Sequence, residues 1–202
     1  MSSVVETSLF IFVNDMRDDI TNAIKVLQEG GVILYPTDTI WGIGCDATNE
    51  AAIERIFNIK KRADSKAMLL LTDSPAKLGY YVEEVPEMAW DLIELATKPL
   101  TIIYPGGRNL AKNLLADDDS VGIRVTQEPF SHRLCERFRK PIVSTSANLS
   151  GEPAPAFFAE IAEEIKGEVD YIVNYRRDDN VPAQPSGIIK LGVKGEIKVI
   201  RE

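Results

Sequence analysis

Residues 30–71 read GGVILYPTDTIWGIGCDATNEAAIERIFNIKKRADSKAMLLL, and this stretch decides the class of fold. Val32 to Tyr35 is a short apolar run ended by Pro36, which fits a buried strand delivering Thr37, Asp38 and Thr39 to a polar loop. Gly42 and Gly44 are expected to let the backbone turn sharply. Asn49 is placed to cap a helix whose apolar stripe is Ala52, Ile53, Ile56 and Phe57, and whose far end carries Lys60, Lys61 and Arg62. Ala67 to Thr72 is then a continuous apolar strand. Strand, polar loop, helix and strand in this order predict an α/β fold.

Outward from this unit the pattern repeats. Upstream, residues 8–13 (SLFIFV) predict a strand, and Asp15 to Gln28 a helix with Ile20, Ala23, Ile24 and Leu27 on one face, stopped by Gly30 and Gly31. Downstream come a short helix within Ser74 to Tyr81 and a longer one over Pro86 to Ala96. Strands are expected at Pro99 to Tyr104 and Val121 to Val125, with a helix-capable piece at Leu110 to Leu115 and an acidic solvated turn at Asp117 to Asp119 between them. Glu128 to Arg139 has helical spacing, with Phe130, Leu134 and Phe138 facing inward. Pro141 to Ser144 is a strand opening into TSANLSGEPAP, followed by an acidic amphipathic helix over Phe157 to Lys166. Val169 to Asn174 is a strand, Tyr175 to Gln184 a charged loop, and Gly187 to Leu191 with Glu196 to Ile200 a closing antiparallel pair around Lys194-Gly195. No repeat or linker interrupts the chain, so residues 1–202 are expected to form a single domain around a mixed sheet.

With 202 residues, 45% of them hydrophobic and 27% charged, the chain can bury one good-sized core. A net charge of −8 speaks against a nucleic-acid binder that works by global charge, while leaving room for a local basic cleft. No apolar run is long enough to span a bilayer, and the N-terminus lacks a basic region before its apolar segment, which predicts a cytoplasmic protein with no membrane partner. Cys45 and Cys135 are far apart and read as small buried or semi-buried thiols rather than a disulfide or a metal pair. His132 has no companion ligands at metal spacing and is expected to face solvent, so a zinc centre or a histidine-based triad is not predicted.

Two polar loops at strand ends, Thr37 to Thr39 and Ser144 to Asn148, stand where ligand loops stand in α/β sheets. Lys60, Arg62, Lys66 and Arg124 can supply cations, and Arg124, inside the apolar strand VGIRV, needs an anionic or polar partner if buried. Structural accounts stand beside this: helix-dipole compensation by Lys60 to Arg62, a structural acid for Arg124, a plain turn at STSAN. Neither of the glycine-rich phosphate motifs is present. Hydroxyl, amide and backbone donors around Ser144, Ser146 and Asn148 would replace them. The residue types thus reach an anion-binding domain and leave its ligand open.

GGVILYPTDTIWGIGCDA, the K-x-R of Lys60 and Arg62, VGIRV with Arg124, the S-x-N of Ser146 and Asn148 within STSANLSGEPA, and Ser186 in QPSGII resemble the threonylcarbamoyl-AMP synthase (YrdC-like) family, from about Gly30 to Arg201. The resemblance implies a twisted sheet of parallel and antiparallel strands flanked by helices, with a concave ligand cleft. It implies a nucleotidyltransferase that converts L-threonine, bicarbonate and ATP, with Mg2+, to threonylcarbamoyl-AMP and pyrophosphate. A downstream threonylcarbamoyl transferase complex would use the product on tRNA.

Residue by residue, it implies that Thr39, Arg124, Ser144 and Ser186 surround threonine. Arg62, Lys66, Ser120, Ser146 and Arg201 would face ATP, and Lys60, Arg62, Ser146 and Asn148 would form the catalytic set, with the metal ligands unknown. The chain departs from the family pattern at Leu71, where many members have histidine, at Thr97-Lys98-Pro99, at Thr126, at Gly187 and at Trp41. These departures keep an alternative open, a paralogue that binds tRNA, double-stranded RNA or a nucleotide without threonine-dependent synthesis. Residues 175–186 are expected to act as a lid that excludes water.

Overall fold

The computed structural model describes residues 16–61, 68–182 and 184–202. The strand expected over 8–13 lies outside them. Helix α1 covers residues 16–28. It is followed by β1 (Ile33–Tyr35), β2 (Gly42–Gly44), α2 (Glu50–Ile59), β3 (Leu69–Thr72), α3 (Leu78–Tyr81), α4 (Glu87–Leu95), β4 (Leu100–Tyr104) and β5 (Val121–Val125). The chain continues through α5 (Pro129–Phe138), β6 (Ile142–Ser146), α6 (Glu163–Glu168), β7 (Tyr171–Ile172), β8 (Gly187–Leu191) and β9 (Ile197–Arg201). Among the described residues the strands form one nine-stranded sheet in the order β7-β1-β2-β6-β3-β5-β4-β8-β9. It is mixed, as the sequence predicts: β7–β1, β3–β5 and β4–β8 are parallel, and the remaining neighbours antiparallel.

Helix α2 forms where its caps and stripe predict. Asn49 Oδ1 accepts from the Ala52 amide at 3.1 Å, and Ala52, Ile53, Ile56 and Phe57 are buried. In α5, Glu128 caps the Ser131 amide at 2.7 Å and Arg139 ends the helix at φ 63°. Phe130, Leu134 and Phe138 are buried, and Cys135 Sγ lies 3.5 Å from the Leu71 carbonyl oxygen, which seats α5 against β3. Both cysteines are free and buried.

Three expectations are corrected. Gly42 and Gly44 do not make a turn; they are extended in β2, between β1 and β6. Glycine is needed there for close approach, because a Cβ on Gly44 would stand 2.4 Å from the Val143 carbonyl oxygen and 2.6 Å from the Tyr35 ring. The helix expected over Phe157 to Lys166 is a 3-10 turn at Phe158–Glu160 and the short α6, separated by extended backbone at Ile161 and Ala162. His132 is half-buried rather than solvent-facing, its Nδ1 3.0 Å from the Thr126 carbonyl oxygen.

Side chains alternate across the strands. Ile102 and Tyr104 of β4 and Val121 and Ile123 of β5 belong to the core. Thr101 and Ile103, with Gly122 and Arg124, face the other way and floor a cleft.

Candidate active site

The cleft encloses about 350 Å³. Its floor runs across the sheet, from Gly42 through Ser144, Ser146, Leu69, Arg124 and Thr101 to Ser186, Ile188 and Arg201. Thr39, Ile40 and Trp41, on the connection after β1, and Met68 complete much of the wall. A Cβ on Gly42 would meet Ser144 Oγ at 3.1 Å, so the glycine leaves that hydroxyl room in the cleft.

Arg124 is the electrostatic centre. Its guanidinium is 3% exposed, and Nη2 lies 2.9 Å from Asp38 Oδ1 and 3.2 Å from Thr39 Oγ1. The ion pair is close but poorly aligned, so Asp38 Oδ1 and Arg124 Nε both lack a hydrogen-bond partner in the protein. Burial pushes the Asp38 carboxyl above its usual range, with Arg124 opposing. Burial likewise pulls the Arg124 guanidinium down, with Asp38 opposing. A buried cation on a cleft floor of hydroxyls presents positive charge to an anionic oxygen that enters the cleft. Of the readings of Arg124 made from sequence, the structural acid is present as Asp38, and it leaves part of the guanidinium unsatisfied.

Thr39, Arg124, Ser144, Ser146, Ser186 and Arg201 are brought together on this one cleft. Lys60 and Asn148 stand behind it. Lys60 is 3% exposed, and its ammonium donates to the carbonyls of Ser146 at 2.5 Å and Asn148 at 2.7 Å, fixing the loop that carries Ser146. Asn148 Nδ2 donates to the carbonyls of Leu149 and Glu152 within the same loop. Ser120 is not among the lining residues; its hydroxyl donates to Asp118 at 2.5 Å, and Lys190 clips the same carboxylate. Arg62 and Lys66 lie outside the described residues. Leu71 pairs in register with Arg124, is fully buried and does not line the cleft.

Sequence reasoning placed Asp38 only within the first polar loop and Arg176 only within the 175–186 lid, and gave no role to Thr101. Thr101 Oγ1 lies 2.9 Å from Ser186 Oγ. Arg176 reaches under the first polar loop, donating to the Thr37 carbonyl at 2.9 Å and pairing with Asp179 at 2.6 Å. For Thr101 the only available signal was a hydroxyl at an alternate position of an apolar strand. Among the described residues no group of three or more His, Cys, Asp or Glu could hold a metal ion, and no helix is long and apolar enough to cross a membrane.

A mixed α/β sheet with a half-satisfied buried arginine, clustered hydroxyls and a second arginine in one cleft has the chemistry suited to small polar anions. A family model described as "Telomere recombination", of the Sua5, YciO and YrdC proteins, matches residues 25–202. The chain belongs to this family. It is 36% identical over 184 residues to threonylcarbamoyl-AMP synthase of Pseudoalteromonas translucida, covering 90% of this chain and 97% of that protein. To the synthase of Vibrio cholerae it is 34% identical over 159 residues, covering 77% of this chain and 85% of that one. Among solved structures, Escherichia coli YciO superposes with a TM-score of 0.78 at 28% identity, over 91% of this chain and 88% of that chain. Sua5 of P. abyssi, in complex with L-threonine, superposes with a TM-score of 0.75 at 28% identity, over 85% of this chain. The match spans only 50% of the Sua5 chain.

Proposed function

We propose that the chain is an L-threonylcarbamoyladenylate synthase, using L-threonine, bicarbonate and ATP to make threonylcarbamoyl-AMP and pyrophosphate. The observation that carries this reading is Arg124, a buried cation on a cleft that it shares with Thr39, Ser144 and Ser186. Its guanidinium suits an amino-acid carboxylate, and the hydroxyls suit a small polar side chain and amine. The synthases named above and the threonine-bound Sua5 support the assignment.

The amine of threonine and bicarbonate give the carbamate with loss of water. A carbamate oxygen then attacks the α-phosphorus, forming the new P–O bond as the bond to pyrophosphate breaks. No side chain needs to exchange a proton in that displacement, so positioning and charge can carry it. Arg201 and Ser146 lie in the same cleft as Arg124 and are assigned to ATP, with Arg62 and Lys66. Lys60 serves by holding the Ser146 loop in place. Among the described residues no group of three or more His, Cys, Asp or Glu offers a protein site for Mg2+, so the ion would come with ATP and would offset the charge of its phosphates. The product would pass to a threonylcarbamoyl transferase acting on tRNA, in the cytoplasm.

The test is threonine-dependent pyrophosphate release from ATP, with bicarbonate and magnesium and without RNA. Stimulation by threonine is expected. Release indifferent to threonine, together with salt-sensitive RNA binding, would instead favour the RNA-binding paralogue.

A further inference from the structure

Thr101 stands at the middle of a polar chain that joins the two cations of the cleft. Its Oγ1 lies 3.5 Å from Arg124 Nη1 on one side and 2.9 Å from Ser186 Oγ on the other. Beyond it, Arg201 Nε donates to the Ser186 carbonyl at 2.8 Å, and Arg201 Nη2 lies 3.5 Å from Ser186 Oγ. Both hydroxyl residues are buried. A guanidinium only donates, so each oxygen presents its lone pairs to its arginine and turns its hydrogen elsewhere. One hydrogen runs between the two oxygens, and the other is left over. Direction follows from burial: Arg124 is enclosed whereas Arg201 is exposed, so the stronger field falls on Thr101. A hydroxyl polarised by a charged donor is itself the better donor. The shared hydrogen therefore runs from Thr101 to Ser186, and the Ser186 hydrogen is the one free to turn into the cleft.

We propose that Thr101 is a positioning residue for the reaction assigned above, resting on that assignment: it relays the pull of Arg124 to Ser186 and makes the Ser186 hydroxyl a donor to the bound amino acid. Ser186 then selects a ligand oxygen that accepts and rejects an ammonium, which fixes the orientation of an α-amino acid in the cleft.

The experiment is calorimetric binding of L-threonine to the wild-type protein, Thr101→Val, Thr101→Ser, Ser186→Ala and the double variant Thr101→Val/Ser186→Ala. Thr101→Val should weaken binding about tenfold, as loss of a charge-linked hydrogen bond does. Thr101→Ser should restore it to within about threefold, and adding Thr101→Val to Ser186→Ala should weaken binding by no more than about twofold further, because the residue acts through Ser186. If Thr101→Val does not fold, Thr101→Ala takes its place in the cycle and is judged by the same non-additivity. Unchanged binding in Thr101→Val, failure of Thr101→Ser to restore it, or independent effects in the cycle would overturn the proposal and leave the synthase assignment standing. A wild-type protein that binds no threonine overturns both, and is read from its own arm of the experiment.

Discussion

Arg124 and Asp38 give the cleft its field at a cost in solvation, since both are withdrawn from water and only imperfectly aligned. That arrangement separates stability from binding. Arg124→Met strands the Asp38 carboxylate and should destabilise the protein by about 3 kcal/mol, the range for breaking a buried pair by removing one partner. Adding Asp38→Asn removes the stranded charge and should recover most of that loss without recovering threonine binding. Urea denaturation and calorimetry on the single and double variants check both halves. Lys60 behaves in the opposite way: its ammonium is engaged by the carbonyls of Ser146 and Asn148, so loss of activity in a Lys60 variant reports on the loop as much as on chemistry.

At the scale of elements, the segment after β7 is held at its start. The buried Asp19 carboxylate accepts from the amides of Asn174 and Tyr175, and Arg177 donates to the carbonyls of Ile172 and Val173. Arg176 binds Thr37 and Asp179. A closing motion expected over 175–186 cannot begin before Asp179 without breaking these bonds. Hydrogen exchange over 175–179 should therefore be equal with and without ATP plus threonine. In Arg176→Ala, exchange over 37–39 and 175–179 should rise about tenfold, since charge-assisted bonds to both segments are lost. Elements were legible where one local signal sufficed: the Asn49 cap and four-residue stripe fixed α2, and short apolar runs marked β4 and β5. They were misread where a distant partner decides. Of the β2 glycines, Gly44 responds to Val143 and Tyr35 across the sheet and Gly42 to Ser144. Phe158, which opens a 3-10 turn in place of the expected α-helix, packs on Trp41 with ring centroids 4.8 Å apart and has Lys166 and Arg177 over its ring.

Over the whole molecule, the motif residues Thr39, Arg124, Ser144, Ser146, Ser186 and Arg201 could be collected from sequence because the family resemblance supplied what spacing could not. Thr101 escaped because its importance depends on the parallel pairing of β4 with β8, which sets it beside Ser186, and no local pattern encodes that register. A chain of net charge −8 nevertheless gathers two arginines in its cleft, so overall charge is a poor guide to the local field. The path of the sheet has a kinetic consequence. The cleft takes groups from the connection after β1 and from β9, near opposite ends of the described chain; β9 pairs only with its hairpin neighbour β8, so it joins the cleft through the pairing of β4 with β8, Leu100 opposite Gly187. Contacts so distant in sequence close against a large loop entropy and form slowly. On dilution from urea, return of threonine binding should coincide with the slowest refolding phase seen by Trp41 fluorescence in a Trp90→Phe background, making ligand capture a timer for completion of the β4–β8 pairing.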